Sequence, residues 1–309
     1  LAEPEIVHAA VLLDTVMGAL AYGPDAVVVD ATVGQAGHAL ALASRLGPQG
    51  KLLGLDVDDT SLAVAEQRLA GVDAEVTLVR ENFGNLDGVL ERGGFGRVDV
   101  ILADLGFSSA QMADGDRGLS FQVGGPLDMR LDQRQPTTAA DLVNSLRQDD
   151  LADLIYEYGE ERHSRRIARA IVTARRRGRL SQTDELVEVI NGALGIRGKG
   201  RKSKIHPATR TFQALRIAVN DELGNLERLL ALAPQWLKTG GQIGVISFHS
   251  LEDRRVKYDF RGKGQAGVYE ILTRKPLVAD EEERRRNPRS RSAKLRLARR
   301  TAETAVGHT

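Results

Sequence analysis

The chain has 309 residues, 42% hydrophobic and 28% charged, with a formal net charge of +1 and no cysteine. That length points to one large domain plus an insertion, or to two smaller domains, with enough apolar content for a sizeable core. The missing cysteines exclude disulfides and thiolate metal sites and fit a cytoplasmic setting. No apolar run approaches the roughly 20 residues that span a bilayer. The acidic start Leu1-Ala2-Glu3-Pro4-Glu5 is not expected to act as a secretory leader.

The near-neutral balance hides local segregation. Basic residues cluster at 162–179, 197–204 and 284–300. Each cluster alone reads equally well as a solvated helix face; three together tilt the reading towards a polyanion-binding surface.

In chain order, Val27-Val28-Val29-Asp30-Ala31 reads as a buried strand and runs into a turn containing Gly34 and Gly37. A helix over 36–46 follows. Strand, glycine turn, helix is the order that presents backbone N–H groups and a helix N-terminus to a nucleotide-like ligand. The turn departs from the dinucleotide fingerprint, because Ala36 and Ala39 stand at its second and third glycines. S-adenosylmethionine, which has no phosphate, tolerates that looser turn; a glycine turn with no ligand is the plain alternative. The next strand, Lys51 to Asp56, ends in a carboxylate able to accept hydrogen bonds from both ribose hydroxyls.

Helices over 59–69 and 86–92 alternate with strands at 75–80 and 98–104, which predicts a parallel sheet with right-handed crossovers. Phe83 suits either an adenine ring or the core. The fourth strand ends Asp104-Leu105-Gly106-Phe107, where a carboxylate, carbonyls and a ring can hold a flat base bearing an amine. Asp30, Gly34, Asp56 and Asp104 are expected to face one crevice, where the strand order reverses.

The alternation then stops. A polar, glycine-rich stretch to Arg134 precedes a helical block over 137–194. Thr137 and Thr138 open its first helix, and Ser145 suits the cap of the next, whose apolar face holds Leu151, Leu154, Ile155 and Tyr158. A helix over 164–177 turns Ile167, Ala168, Ile171 and Val172 inward and its arginines outward. A third runs over 183–194, and a basic glycine-rich loop follows over 195–202. One long helix over 207–238 leads back to a strand over 241–248. His249 follows it, with Ser250 and Asp253 as a capping box. Segments 268–272 and 295–299 predict a hairpin on the sheet edge. The domain reading is 1–136 and 207–309 for the sheet and 137–206 for an inserted helical domain.

Six blocks carry a resemblance. They are Asp30-Ala31-Thr32-Val33-Gly34-Gln35-Ala36-Gly37-His38, Asp104-Leu105-Gly106-Phe107-Ser108-Ser109-Ala110-Gln111, Arg117-Gly118-Leu119-Ser120-Phe121, Pro126-Leu127-Asp128-Met129-Arg130, Ser247-Phe248-His249-Ser250-Leu251-Glu252-Asp253-Arg254, and Asn287 through Arg296. Together they resemble the bacterial 16S rRNA cytosine-N4 methyltransferase family, small subunit methyltransferase H, formerly MraW. The resemblance spans nearly the whole chain, with the blocks in that family's order.

The resemblance implies a Rossmann-like class I methyltransferase sheet of α/β type with an inserted all-helical RNA-recognition domain. It implies transfer of methyl from S-adenosylmethionine to the exocyclic N4 of a cytidine in the decoding region. Carried over by position, the cofactor contacts are Gly34, Ala36, Gly37, His38, Asp56 at the ribose, Phe83 at the adenine, Asp104 and Gln111. The family's Gly-Gly-His reads Ala36-Gly37-His38 here, which is expected to put one methyl near the cofactor. Asp104, or the carbonyls of Leu105 and Gly106, is expected to accept the N4 hydrogens, with Phe107 stacking on the base. His249 is a second candidate proton acceptor or RNA contact. Arg165, Arg166, Arg169, Lys199, Arg201, Lys202, Lys204, Arg289 and Arg291 are assigned to RNA, and no metal is expected. The implied partner is 16S rRNA or the small ribosomal subunit, with homodimerisation left open. Rival readings are a nicotinamide oxidoreductase, a DNA amino-methyltransferase, and a non-catalytic RNA-binding ribosome-assembly factor on the same fold.

Overall fold

The structure is a computed structural model that describes residues 10–108, 111–112, 114–196 and 206–302. Lys199, Arg201, Lys202 and Lys204 therefore lie outside the described residues. The chain divides into two compact units, Leu1–Gly106 with Leu223–Thr309, and Phe107–Glu222.

The first unit is built on seven strands: β1 (Val27–Asp30), β2 (Lys51–Asp56), β3 (Glu75–Arg80), β4 (Val98–Asp104), β5 (Leu237–Ser247), β6 (Tyr269–Ile271) and β7 (Lys294–Arg300). Their order across the sheet is β3-β2-β1-β4-β5-β7-β6. β1 to β5 are mutually parallel, and β7 runs antiparallel to both neighbours. The terminal hairpin thus forms at the sheet edge, as expected.

The β-branched and leucine runs are nearly continuous because both faces of the sheet are covered. Along β1 and β2, Val28 and Leu52 enter one core cluster while Val29 and Leu53 enter the other. The first cluster packs against α1 (Leu13–Ala19), α2 (Gly37–Ala43) and α3 (Asp59–Leu69). The second packs against α4 (Leu86–Arg92), and against Leu226, Leu229, Val256 and Phe260 from helices later in the chain. Three layers result, and the chain passes from β1 to β2 on one side and back to β4 on the other. In a doubly wound sheet that reversal, at the carboxyl ends of β1 and β4, is where ligands bind.

The second unit is helical: α5 (Ala139–Ser145), α6 (Gln148–Gly159), α7 (Ser164–Arg175), α8 (Thr183–Leu194) and α9 (Thr209–Asn220). It extends past the expected 137–206 segment on both sides. Leu127 and Met129, from the polar stretch, and Phe212 and Leu215, from α9, all bury into its core. Asn220 clasps the stretch to α9: its amide donates to Met129 O at 2.8 Å and its carbonyl accepts from Leu131 N at 2.7 Å. The Arg117 and Pro126 blocks are joined by Met129 N donating to Arg117 O at 3.0 Å. Gly118 sits at φ +60, where an added Cβ would meet Pro126 O at 1.9 Å, so only glycine fits that crossing.

Three local expectations are corrected. Thr138 does cap α5, with Asp141 closing a capping box, but Ser145 ends α5 and its hydroxyl donates to Asp141 O. Arg147 occupies the N-cap of α6. The single helix over 207–238 is two, α9 and α10 (Glu222–Trp236), broken at Asp221 in the left-handed conformation at φ 46. The capping box of α11 (Ser250–Gln265) is formed by His249 and Glu252 rather than by Ser250 and Asp253. Asp253 instead pairs with Arg296 at 2.7 Å and Lys294 at 3.4 Å on β7. Among the described residues, no helix is long and apolar enough to cross a membrane.

Candidate active site

Four side chains of the first unit gather at the carboxyl ends of β1, β2 and β4. Each strand ends in an aspartate that its last apolar residues hold at the rim. Asp56 Oδ2 accepts from Gly34 N at 2.9 Å, and its Oδ1 accepts from Asp58 N at 2.9 Å. Asp30 Oδ1 accepts from Thr32 N at 3.1 Å, while the Thr32 hydroxyl accepts from Asp104 N at 2.7 Å. His38, the second residue of α2, puts Nδ1 3.6 Å from Asp104 Oδ2. The expected group Asp30, Gly34, Asp56 and Asp104 is therefore brought together.

The electrostatics of this rim are unusual. Burial raises Asp30 and Asp56 each to about 6 and Asp104 to about 7. For Asp30 the neighbouring Asp104 and Asp56 add to the rise, against His38 and the Thr32 hydrogen bond. Arg289 pulls Asp104 back down, and Glu252 pushes it up. Asp30 Oδ2 and Asp104 Oδ1 are buried with no hydrogen-bond partner among the described residues. Orphaned acceptors of this kind call for a ligand that carries donors or positive charge.

The turn beside them leaves room for one. At Gly34, φ is +49 and an added Cβ would meet nothing closer than Thr32 O at 3.9 Å. Gly37 is different, since its Cβ would meet Ala10 Cβ at 2.9 Å. Packing of the preceding segment by itself demands glycine there. Ala36 adopts φ 61 and is fully buried in the first core cluster.

The remaining predicted residues are placed as follows. Phe83 is half-buried against the second core cluster. His249 caps α11, with Nδ1 accepting from Glu252 N at 3.4 Å and Nε2 3.2 Å from Glu252 Oε1. Arg289, assigned from sequence to RNA, is half-buried; its guanidinium lies 5.9 Å from the centre of the Phe248 ring and acts on Asp104. Arg291 is exposed.

Phe107 and Gln111 belong to the second unit. The Arg216 guanidinium sits 4.8 Å from the centre of the Phe107 ring and is forked onto Glu222 at 2.7 and 2.9 Å. Gln111 Oε1 accepts from Ser108 N at 2.8 Å. Arg165, Arg166 and Arg169 are exposed along α7, and no acidic partner for them is found among the described residues. Sequence reasoning missed Thr32 and Arg289 as parts of the rim. Thr32 had a signal, since a β-branched hydroxyl one residue past a strand end suits a strand-to-strand bridge.

The rim fits the adenosyl sulfonium implied by the sequence. Asp56 retains lone pairs for hydroxyl donors, Gly34 leaves space, and the orphaned oxygens of Asp30 and Asp104 suit a cationic ligand.

The family model described as the MraW methylase family matches residues 5–301. The chain is 49% identical over 298 residues to the ribosomal RNA small subunit methyltransferase H of Acidobacterium capsulatum, covering 94% of this chain and 97% of that protein. It is 48% identical to the enzyme of the same name from Synechocystis sp., covering 94% and 92%. The Symbiobacterium thermophilum enzyme is 47% identical, covering 94% and 95%. With the match running from the first turn through β7, this chain belongs to the MraW methylase family.

Proposed function

We propose that this chain transfers the methyl group of S-adenosylmethionine to the exocyclic N4 of a cytidine in the decoding region of small-subunit rRNA, in the cytoplasm. The observation that carries the reading is the cluster of strand-end carboxylates with raised pKa values and two orphaned oxygens, beside an open glycine turn. The names of the relatives supply the substrate class.

The cofactor supplies an electrophilic methyl on a positively charged sulfur. Asp56 accepts the ribose hydroxyl hydrogens. Gly34 lets the ligand approach the backbone. Cytosine N4 is a poor nucleophile, because its lone pair is delocalised into the ring. Asp104 Oδ1 accepts an N4 hydrogen and so fixes the amine in line and lets charge develop on nitrogen. Asp30 adds negative potential that favours a cation at the rim.

Arg165, Arg166 and Arg169 on α7 supply phosphate contacts, joined by Arg291 and the basic residues 199–204. A cytidine reaches the rim only from splayed or single-stranded RNA.

The test is Asp104→Ala. Methyl transfer to small-subunit RNA should be lost while thermal unfolding stays cooperative; full turnover in that variant removes Asp104 from the mechanism. Mapping modified nucleotides in RNA from cells with and without the protein decides the cytidine assignment.

A further inference from the structure

His38 is 5% exposed, and its two ring nitrogens meet different chemistry. Nε2 lies 2.9 Å from the carbonyl oxygen of Val11. A carbonyl only accepts, so Nε2 carries the proton in that contact. In the neutral ring Nδ1 is then a bare lone pair, and it faces Asp104 Oδ2 at 3.6 Å. An ionised Asp104 would set a carboxylate against that lone pair. A proton on Oδ2 removes the conflict and leaves Oδ1, the orphaned buried oxygen, as a carbonyl-type acceptor.

The surroundings agree. Burial holds Asp104 high, to about 7, and holds His38 below its ordinary value. Asp30 from the end of β1 and Glu283 from α12 (Glu281–Arg286) favour a charged His38. Arg289 and Glu252 act on Asp104 in opposite senses. Glu283 is itself anchored, accepting from Leu12 N at 2.6 Å, one residue along from the carbonyl that fixes the His38 ring.

We propose that His38 is a positioning residue that completes a two-step proton path: Asp104 Oδ1 receives the hydrogen leaving N4 while Asp104 Oδ2 passes its proton to His38 Nδ1. This deepens the methyl-transfer reading above and rests on it. The balance is complete. The N4–C bond forms, the S–C electron pair returns to sulfur, and the N4–H pair stays on nitrogen. The proton goes to Oδ1, the Oδ2 proton goes to Nδ1, and one positive charge moves from sulfonium to imidazolium. Asp30 and Glu283 stabilise that imidazolium, which is why a lowered resting affinity for protons does not block the transfer.

Histidine-selective nitrogen-15 NMR of the full chain without cofactor, at pH 6 where Asp104 keeps its proton, tests the resting state. The six histidines are assigned by difference from His38→Gln. The expected His38 tautomer has Nε2 protonated and Nδ1 bare; a protonated Nδ1 overturns the proposal. The second measurement is the pH profile of kcat for His38→Gln, whose amide reaches towards Val11 O but offers no base to Asp104. At pH 6, about one unit below the Asp104 value, kcat should fall by about tenfold, with KM for RNA unchanged. The loss should shrink as the pH rises and Asp104 ionises. A profile that parallels the wild type overturns the proposal. Wild-type protein that shows the tautomer yet never methylates RNA refutes the function and not the geometry, so the two failures are distinguishable.

Discussion

Asp30→Asn isolates what the buried carboxylates do to the protein that lacks a cationic ligand. Asp30 is 1% exposed, and its pKa is raised from 3.8 to about 6. A carboxyl with a raised folded-state pKa is at no disadvantage below its unfolded value, and the fold loses stability as the pH climbs through the folded value. The window is therefore pH 4 to 6, with the full penalty above it. The rise from 3.8 to about 6 corresponds to about 3 kcal/mol at pH 8 and to roughly half of that at pH 5. Asparagine keeps the Oδ1 acceptor for Thr32 N and carries no charge. Urea unfolding without cofactor should therefore find Asp30→Asn more stable than wild type at both pH values. The advantage should be about twice as large at pH 8 as at pH 5. The same variant should gain less than the wild type from added S-adenosylmethionine, because it has given up charge that attracts a cation. A stability difference that does not change with pH, or a variant less stable than wild type at pH 8, refutes the reasoning.

Gly118→Ala forces a Cβ onto Pro126 O at φ +60. It should destabilise the second unit by about 3 kcal/mol or more, read as early loss of near-ultraviolet signal or as protease cleavage within 107–222. Asp253→Ala strands the Arg296 guanidinium, which is 6% exposed on β7. A loss of about 3 to 5 kcal/mol in urea unfolding is expected, and a loss below 1 kcal/mol would show that the pair is solvated. Replacing Arg165, Arg166 and Arg169 together by glutamine should lower the salt dependence of RNA binding. The slope of log affinity against log salt should fall by about 2 for a single strand; an unchanged slope removes α7 from the RNA surface.

The parallel half of the sheet was legible because its strands are buried on both faces, and uninterrupted runs such as Val27-Val28-Val29 and Leu52-Leu53-Gly54-Leu55 have no other home. The carboxylates at the strand ends were legible for the same reason, since polar residues can only stand at the rim of such runs. What sequence missed was conformational choice at single positions. Asp221 breaks α9 from α10 with a left-handed turn that no glycine or proline announces. The cap of α11 slid by one residue to His249 because Asp253 is taken by Arg296, a partner 43 residues away that local pattern cannot reveal. Arg289 looked like one more residue of a basic run. Only the fold shows it leaning over Phe248 towards Asp104. The 126–130 block was legible as a signature but not as a clasp, because the clasp depends on Asn220, 91 residues from the carbonyl it holds.

The strand order has a consequence for how the molecule is made. β4 is finished at residue 104, but its neighbour β5 begins only at 237 and β7 closes at 300. At typical translation speeds of 5 to 20 residues per second, the β4 flank waits roughly 10 to 40 s for its partners to leave the ribosome. Through that interval a nascent four-stranded half-sheet displays one long row of unsatisfied amides and carbonyls, together with the leucines that β5 will later cover. Synthesis of this chain should therefore lean on holdase chaperones, and slowed translation between codons 105 and 237 should raise the aggregated fraction without altering a single native contact.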